Sequence, residues 1–451
     1  MKFTTVLTGL LAAVTHVQAA AVVAHFMLIN TKNYTLSDFE DDFKLAKEAH
    51  IDAFALNMGL TDPHTAEALE DAFTAAKTPW PKETILEMGD KYFKRDEYFK
   101  YAEKPVASTF EGTENAKDWI EIKEKTGAFF IPDWSSISPE ESLLLADGVA
   151  DGLFSWNAWP IGDQDMTSKG DAAYEWALKG KPYMMPVSPW FYTNLPGYDK
   201  NWVWRGDDLW YDRWTQVMEI MPTFVQIISW NDYGESHHIG PVRPNALEAF
   251  EVGKALSTTP STTPTTSAVQ PEIKTESLTT WYRLSPALAC KDGGTTANTA
   301  AHSQKVLSPA EVVKDKIFYS ALLTSAAEIT VSKGNWTSTP DKGKGVYHGS
   351  IPFLGTGDVV ITMTKYGTEI AKIEGKQITN ECPGGMTNWN AWVAARDALH
   401  VEDPNPTPTQ TGDGPKSTAN GDDDSAASSL SRSSLVYVVV ALASIAIAGV
   451  V

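Results

Sequence analysis

From Val22 to about Lys254, short apolar runs alternate with amphipathic stretches. Strand-type runs fall at Val22–Ile29, Ala53–Met58, Pro105–Phe110, Ala128–Pro132, Gly152–Trp156, Tyr183–Val187 and Phe224–Ser229. Between them, Ser37–Ala49, Thr65–Lys77, Glu83–Phe93, Ala116–Lys125, Pro139–Ala146, Asp171–Leu178 and Asp207–Met221 carry helical periodicity. Ser37, with Glu40 three residues on, reads as a helix N-cap. Uninterrupted apolar strands between amphipathic helices predict a parallel sheet covered by helices. The strands end in Asn57, Glu111, Asp133, Trp156, Ser188 and Asp232, and such residues collected at strand C-termini mark a (β/α)8 TIM-type barrel. A doubly wound sheet is the alternative, but the chain has neither GxGxxG nor a phosphate-binding loop. The strand count is one short of eight. Only Thr78-Pro79-Trp80-Pro81-Lys82 separates the second and third helical stretches, with no apolar run between them. The expected fold class is therefore α/β, a TIM-type barrel over 20–255 with one strand missing.

After the barrel the pattern changes. Residues 256–274 form a Ser/Thr/Pro linker of extended type. Residues 275–396 read as a β-rich, sandwich-like domain, with alternating segments at Thr279–Leu284, Glu328–Lys333, Val346–Phe353 and Asp358–Tyr366 between Gly-rich turns. Phe318–Ala326 fits strand or helix. Residues 397–427 are a low-complexity stalk. The two ends carry targeting patterns. Residues 1–19 combine Lys2, the apolar stretch Val6–Val14 and the small-residue site Val17-Gln18-Ala19, the order of a secretory signal. Residues 428–451 set a polar spacer before the apolar run Leu435–Val451, preceded by small residues, the order of a glycolipid-anchor signal that is removed. A tail-anchored membrane helix is the alternative, at the short limit for a span.

A net charge of −20 excludes a nucleic-acid partner, which needs a basic surface. Sixteen Trp and an aromatic share of 11% suit a protein that works on neutral polymers. Two sequons, at Asn33 and Asn335, agree with export. The two cysteines, Cys290 and Cys382, pair most simply as one disulfide in an oxidising compartment; buried thiols are the alternative. A monomer attached to a membrane or cell wall is expected.

The densest chemistry lies in Phe224–Pro241, FVQIISWNDYGESHHIGP. An apolar strand runs into Asp232 and Glu235, with Asn231, Tyr233 and His237 around them as candidate substrate contacts. Paired carboxyls beside an aromatic surface are what glycosidic cleavage requires. Fully extended, the two Cα atoms would lie ~10 Å apart on opposite faces. If the chain curls, with help from Gly234, the carboxyls face the barrel mouth roughly 6–10 Å apart. That range admits an attacking water and inversion; a closer approach favours retention. Glu111 and Asp133 follow other strands and are candidates to hold sugar hydroxyls or to bias the pair. Trp134, Trp156, Trp159, Trp190 and Tyr192 are candidate platforms for sugar rings, whereas Trp210, Trp214 and Phe224 sit at core spacing. His237-His238 lacks a third ligand at useful spacing, so no metal is expected and His237 is read as a hydrogen-bonding residue at a sugar subsite.

At these residues the chain resembles the fungal α-1,3-glucanases (mutanases) of glycoside hydrolase family 71. The motifs are WNDYGESHHIGP, FFIPDWSS, GLFSWNAWP, the long KPYMMPVSPWFYTNLPGYDKNWVWRGDDLWYDRW and the N-terminal AHFMLINTKNYTLSDF. WYRLSPALACKDGGTTANTA, GVYHGSIPF and TNWNAWV resemble that family's C-terminal domain. The resemblance implies a (β/α)8 catalytic domain, endo-hydrolysis of α-1,3-glucan with inversion, and no cofactor. It places the general base on Asp232 and the general acid on Glu235. It also implies one more strand, of the kind KLFFSFDYAGNG, before the PWP sequence. Here Lys77-Thr78 runs directly into Pro79-Trp80-Pro81, so the alternative is a catalytically impaired glucan-binding wall protein.

Overall fold

The computed structural model describes residues 20–59, 82–195, 198–246, 275–299, 304–334, 336–338, 341–401 and 437–443. The expected leader, the helix at Thr65–Lys77 with the Thr78–Pro81 connection, the linker, most of the stalk and tail, and Asn335 lie outside them. The first unit contains β1 (Ala21–Met27), β2 (Ala53–Gly59), β3 (Lys100–Tyr101), β4 (Lys104–Phe110), β5 (Phe129–Phe130), β6 (Leu153–Phe154), β7 (Tyr183–Val187), β8 (Phe191–Leu195), β9 (Lys200–Trp204) and β10 (Phe224–Ile227). Its helices are α1 (Leu36–Glu48), α2 (Lys82–Tyr92), α3 (Asp118–Thr126), α4 (Pro139–Leu144), α5 (Lys169–Leu178) and α6 (Leu209–Ile220). The second unit contains β11 (Ser277–Tyr282), β12 (Thr296–Ala297), β13 (Lys316–Leu323), β14 (Ala327–Lys333), β15 (Trp336–Ser338), β16 (Asp341–Lys342), β17 (Gly345–Pro352), β18 (Val359–Lys365), β19 (Thr368–Glu374) and β20 (Trp392–Asp397). A last strand, β21, spans Tyr437–Ala443.

The expected strands of the first unit recur within a few residues, and they form one curled parallel sheet. Its order is β4-β21-β2-β1-β10-β7-β6, with β5 on the other side of β4. Beyond β5, the Phe154 amide donates to the Pro132 carbonyl at 2.9 Å and Asp133 bridges Phe154, so β5 and β6 are also neighbours. Side chains alternate between two buried faces. Val23, Ala53, Ala55, Val106, Phe129 and Met184 pack together on one face. Ala24, Phe54, Ala107, Phe130 and Met185 pack on the other with helix residues such as Trp119, Trp214 and Val217. Burial on both faces explains why these strands read as uninterrupted apolar runs.

Two details depart from expectation. The N-cap of α1 is Thr35, not Ser37: Thr35 Oγ1 accepts from the Asp38 amide while the Asp38 carboxylate accepts from the Thr35 amide at 2.8 Å. This reciprocal box satisfies donors that a later start would leave unpaired. The place of the missing strand, between β2 and β4, is taken by β21 from the C-terminal tail. It pairs in parallel with both neighbours, Ala53 opposite Tyr437 and Ala107 opposite Val440. The apolar run that reads as a removable signal also has the composition of a buried strand, and it covers ladder groups of β2 and β4 that would otherwise need partners.

The second unit has two antiparallel sheets, β17-β13-β11-β20 and β15-β14-β18-β19, with β16 also on β14. Leu278, Ile317, Tyr319 and Leu323 of the first share one apolar cluster with Ile329, Val331, Ile361 and Ile373 of the second. The ambiguous Phe318 segment is a strand, β13, because it lies between β11 and β17 and pairs with both. Cys290 and Cys382 form a disulfide across 92 residues, with Cα atoms 6.4 Å apart. The units meet through real contacts: β12 pairs with β9, Arg205 Nε donates to the Val312 carbonyl at 2.6 Å, and His348 Nε2 lies 2.9 Å from Asp208.

Arg213 ties the helical layer to the sheet. Fully buried on α6, it forms two hydrogen bonds to the Asp171 carboxylate of α5, at 2.8 and 3.0 Å, and donates to the Pro186 carbonyl of β7. Tyr183 adds a hydroxyl donor to Asp171 at 2.8 Å. Removing one member of a buried pair strands the other charge, at a cost of about 3–5 kcal/mol. Asp171→Leu is expected to lower unfolding stability by that amount in urea titration, while the surface ion pair Lys94–Asp90 can be removed with little effect.

Candidate active site

Beyond β10 the chain folds back on itself. The Ser229 amide donates to the His237 carbonyl at 2.9 Å, the Ile239 amide to the Ser229 carbonyl at 2.9 Å, and the Gly240 amide to the Trp230 carbonyl at 2.8 Å. A side chain at Gly240 would strike the Trp230 ring and carbonyl, at 2.6 and 2.8 Å, so the closure needs glycine. Asp232 and Glu235 sit at the tip of this loop. The reversal uses Ser236, whose φ is +61°, whereas Gly234 is absent from the left-handed positions. That corrects the expectation that Gly234 makes the turn.

Within the loop, Asp232 accepts from the Glu235 amide at 3.0 Å, and the Asp232 amide donates to Ser229 Oγ at 2.8 Å. His237 links the two halves, with Nδ1 3.0 Å from Ser229 Oγ and Nε2 3.0 Å from Glu235 Oε2. Lys200 of β9 donates to Glu235 Oε1 at 2.9 Å. The Asp232 and Glu235 side chains stay 17% and 20% exposed, so both reach solvent. Ligand atoms of Asp232, Glu235 and His237 lie within 4.8 Å of one another. That spacing also suits a divalent cation, but the Lys200 ammonium already supplies positive charge there, and the arrangement is an ion-pair network. The carboxyl oxygens approach more closely than the 6–10 Å expected of a pair with water between them, so the spacing of the ligand-free site is on the side that favours retention rather than inversion.

The surroundings drive the two carboxyls apart in proton affinity. Burial raises Asp232, and the Glu235 charge raises it further. Burial alone would also raise Glu235, but Lys200 and His237 outweigh it and hold Glu235 down at about 2. In the ligand-free site Asp232 therefore binds a proton more tightly than Glu235, which is held ionised. Beneath them His25 lies between Asn57, at 2.8 Å, and Gln226, at 3.1 Å. Burial, with the neighbouring His237, pushes it down to about 3 and leaves it neutral.

The family model for glycosyl hydrolase family 71 matches residues 18–405. The chain belongs to that family. Among its relatives is the glucan endo-1,3-alpha-glucosidase agn1 of Schizosaccharomyces pombe, 32% identical over 411 residues, covering 82% of this chain and 93% of that one. The mutanase Pc12g07500 of Penicillium rubens is 31% identical over 347 residues, covering 70% and 75%. Among solved structures, a GH99 endo-alpha-mannosidase of Bacteroides thetaiotaomicron matches with a TM-score of 0.36 and 14% identity, over 49% of this chain and 86% of that one.

In this family 71 chain the other expected site residues divide into two groups. Trp156, Trp190 and Tyr192 are half-buried near the loop: Trp156 meets the His25 ring edge-on at 5.0 Å, Trp190 Nε1 donates to the Ser236 carbonyl at 2.6 Å, and the Tyr192 amide donates to the Glu235 carbonyl at 3.2 Å. Glu111 accepts from the Ser136 amide at 2.8 Å and so fastens a rim loop. Asp133 is fully buried at the end of β5, and burial pushes it up to about 8.

The second group consists of corrections. Trp134 is a core residue, 1% exposed and packed on Phe130, so it offers no ring face to sugar. Trp159 is buried against Trp204, Phe191 and His237, and backs the site rather than lining it. Tyr233 is buried, with its hydroxyl given to the Pro241 carbonyl at 2.9 Å. His237, 1% exposed, acts on Glu235 instead of sugar. Asn231 is fully buried and clamps β1: its Oδ1 accepts from the Met27 amide at 2.7 Å and its Nδ2 donates to the Met27 carbonyl at 3.0 Å. Trp210, Trp214 and Phe224 are buried, as their spacing suggests.

Sequence reasoning missed Lys200, Ser229 and His25. Lys200 lies on a hairpin that reads as a Pro- and Asn-containing loop, and only its charge in an otherwise aromatic stretch marks it. If Asn231 is structural, Asn231→Ala should lower stability by about 1–3 kcal/mol, because both Met27 backbone groups lose their partner. Thermal unfolding measures this; an unchanged midpoint with weakened glucan binding would return Asn231 to the substrate.

Proposed function

We propose that this chain is an endo-α-1,3-glucanase that hydrolyses α-1,3-glucosidic bonds of fungal cell-wall glucan with inversion, using Asp232 and Glu235. The observation that carries the reading is the pair of solvent-reaching carboxyls at the end of β10, with oxygens within 4.8 Å and with Lys200 and His237 both turned to Glu235, in a glycoside hydrolase whose relatives are named for α-1,3-glucan cleavage. We read the curled sheet, with β21 in place and β5 against β6, as a (β/α)8-type barrel, and the two antiparallel sheets as a sandwich. Half-exposed Trp156, Trp190, Tyr192, Trp202 and Trp204 supply faces on which glucose rings stack. No cofactor is required.

Acid–base hydrolysis asks Glu235 to give a proton to the glycosidic oxygen while Asp232 takes one from the attacking water. In the ligand-free site the bias runs the other way, with Glu235 held ionised and the proton affinity of Asp232 raised. A glucan chain that separates Lys200 from Glu235 removes the attraction that holds Glu235 ionised, and burial then returns the proton to it. The same displacement widens the gap between the carboxyls and admits the water that inversion needs.

Reducing-sugar release from insoluble α-1,3-glucan is expected to fall at least 100-fold in both Asp232→Asn and Glu235→Gln. An α-1,3-glucooligosaccharide carrying a fluoride leaving group separates their roles, since fluoride departs without protonation. Glu235→Gln should retain turnover of that substrate and Asp232→Asn should not; the reverse result would exchange the roles, and undiminished release from glucan by either variant would refute the pair.

We further propose export and attachment at the cell surface, supported by the leader pattern, the sequon at Asn33 and the apolar tail. The pairing of β21 supports a second fate for that tail, because a segment exchanged for a glycolipid cannot remain in the sheet. Mass spectrometry of the mature C-terminal peptide decides between them. A lipid-linked end within residues 420–428 gives the anchor, and a peptide reaching Val451 gives the retained strand.

A further inference from the structure

The Lys200–Glu235 contact sits where the two units of the protein join. Lys200 opens β9, which pairs with β8 on one side and with β12 of the second unit on the other. Thr296 stands opposite Trp202 and Ala297 opposite Val203. Next to Lys200, Asn201 is gripped by the second unit: its Nδ2 donates to the Gly293 carbonyl at 3.1 Å, and its Oδ1 accepts from Thr295 Oγ1 at 2.7 Å. On the other strand, the Tyr192 amide holds the Glu235 carbonyl. The hairpin therefore touches the catalytic loop through Lys200 and Tyr192, and the Gly293–Ala297 segment fixes its outer edge.

We propose that Lys200 is a positioning residue that keeps Glu235 ionised until substrate displaces it, and that the second unit forms part of the active site by bracing the strand that carries Lys200. The inference rests on the glucanase reading for its purpose, but the clamp itself is a property of the free protein. The charged and titratable groups facing Glu235 are Lys200 from β9, Asp232 and His237 from its own loop, and His25 from β1; Tyr198 lies beside Lys200. Lys200 is the one permanent cation in that set. Its own pKa is raised, by the Glu235 charge above all.

The test is the titration of Glu235 in the full chain, followed through the side-chain carboxyl signal in 13C-glutamate-labelled protein and assigned with Glu235→Gln. In Lys200→Met the midpoint should rise by about 1–3 pH units, the effect of removing a nearby opposite charge. Lys200→Arg should restore it, which a merely structural lysine would not predict, and near-UV circular dichroism verifies that each variant is folded. An unchanged midpoint in folded Lys200→Met overturns the clamp. Asn201→Ala should move the midpoint in the same direction by loosening the brace; if Lys200→Met shifts it and Asn201→Ala does not, the bracing role fails. Where glucan is hydrolysed, one limb of the pH–rate profile should move upward in Lys200→Met: the alkaline limb if Glu235 is the acid, the acidic limb if it is the base. A shifted titration in a protein that releases no sugar leaves the clamp standing and removes the glucanase reading.

Discussion

Two carboxyl groups whose oxygens lie within 4.8 Å cannot both ionise cheaply in a partly desolvated site. The surrounding structure follows from how that repulsion is resolved. Lys200 and His237 both attend Glu235, while Asp232 is left with its own loop amide and a weaker approach to His237 at 3.9 Å. Of the two, Asp232 then has the higher proton affinity in the free protein. Environments that separate the proton affinities of two adjacent carboxyls create an acid and a base from the same chemistry. The assignment can be reversed only by moving the cation, which links proton position to occupancy of the cleft.

Much of the fold is legible because burial on both faces forces a simple code. Strands such as Tyr183–Val187 must be apolar throughout, since Met184 meets the interior of the curled sheet and Met185 meets the helices. Failures occur where polarity is satisfied by something distant. The hairpin of β8 and β9 contains Asn194, Lys200 and Asn201, and its outer strand is completed by residues almost 100 positions later. No local pattern encodes that pairing. Thr35 over Ser37 is a smaller instance: both hydroxyl residues have a carboxylate three residues on, Asp38 and Glu40, but the helix already begins at Leu36 and the box closes on Thr35 and Asp38.

The candidate site divides in the same way. Asp232 and Glu235 are legible because two acids directly after a buried strand have few structural uses. Their neighbours are not, since proximity in sequence says nothing about which side faces solvent. Asn231, Tyr233 and His237 flank the pair and look like substrate contacts, yet each turns inward to hold β1, Pro241 or Glu235. A tight loop that carries two solvent-reaching carboxyls must be fastened by the residues between and beside them. The same logic moves Trp134 and Trp159 from the sugar to the scaffold, and brings in Ser229, whose hydroxyl accepts from the Asp232 amide and meets His237.

The sheet imposes one further demand that bears on how the chain must be processed. β2 along its whole length and β4 from Ala107 to Phe110 present ladder groups toward the position between them, and no strand among the described residues of 82–246 fills it. Tyr437–Ala443 does so in parallel with both β2 and β4. A strand drawn from the C-terminus reaches that position across a linker, a second folded unit and an acidic stalk. Its entropic penalty grows only slowly with that distance, so length alone does not exclude it. The same apolar run also carries the sequence pattern of an anchor signal, and a tail removed for an anchor cannot fill that position. Retention of the tail therefore decides whether the sheet is continuous between β2 and β4, with β2 and β1 standing between that position and the β10 end that carries the carboxyl pair.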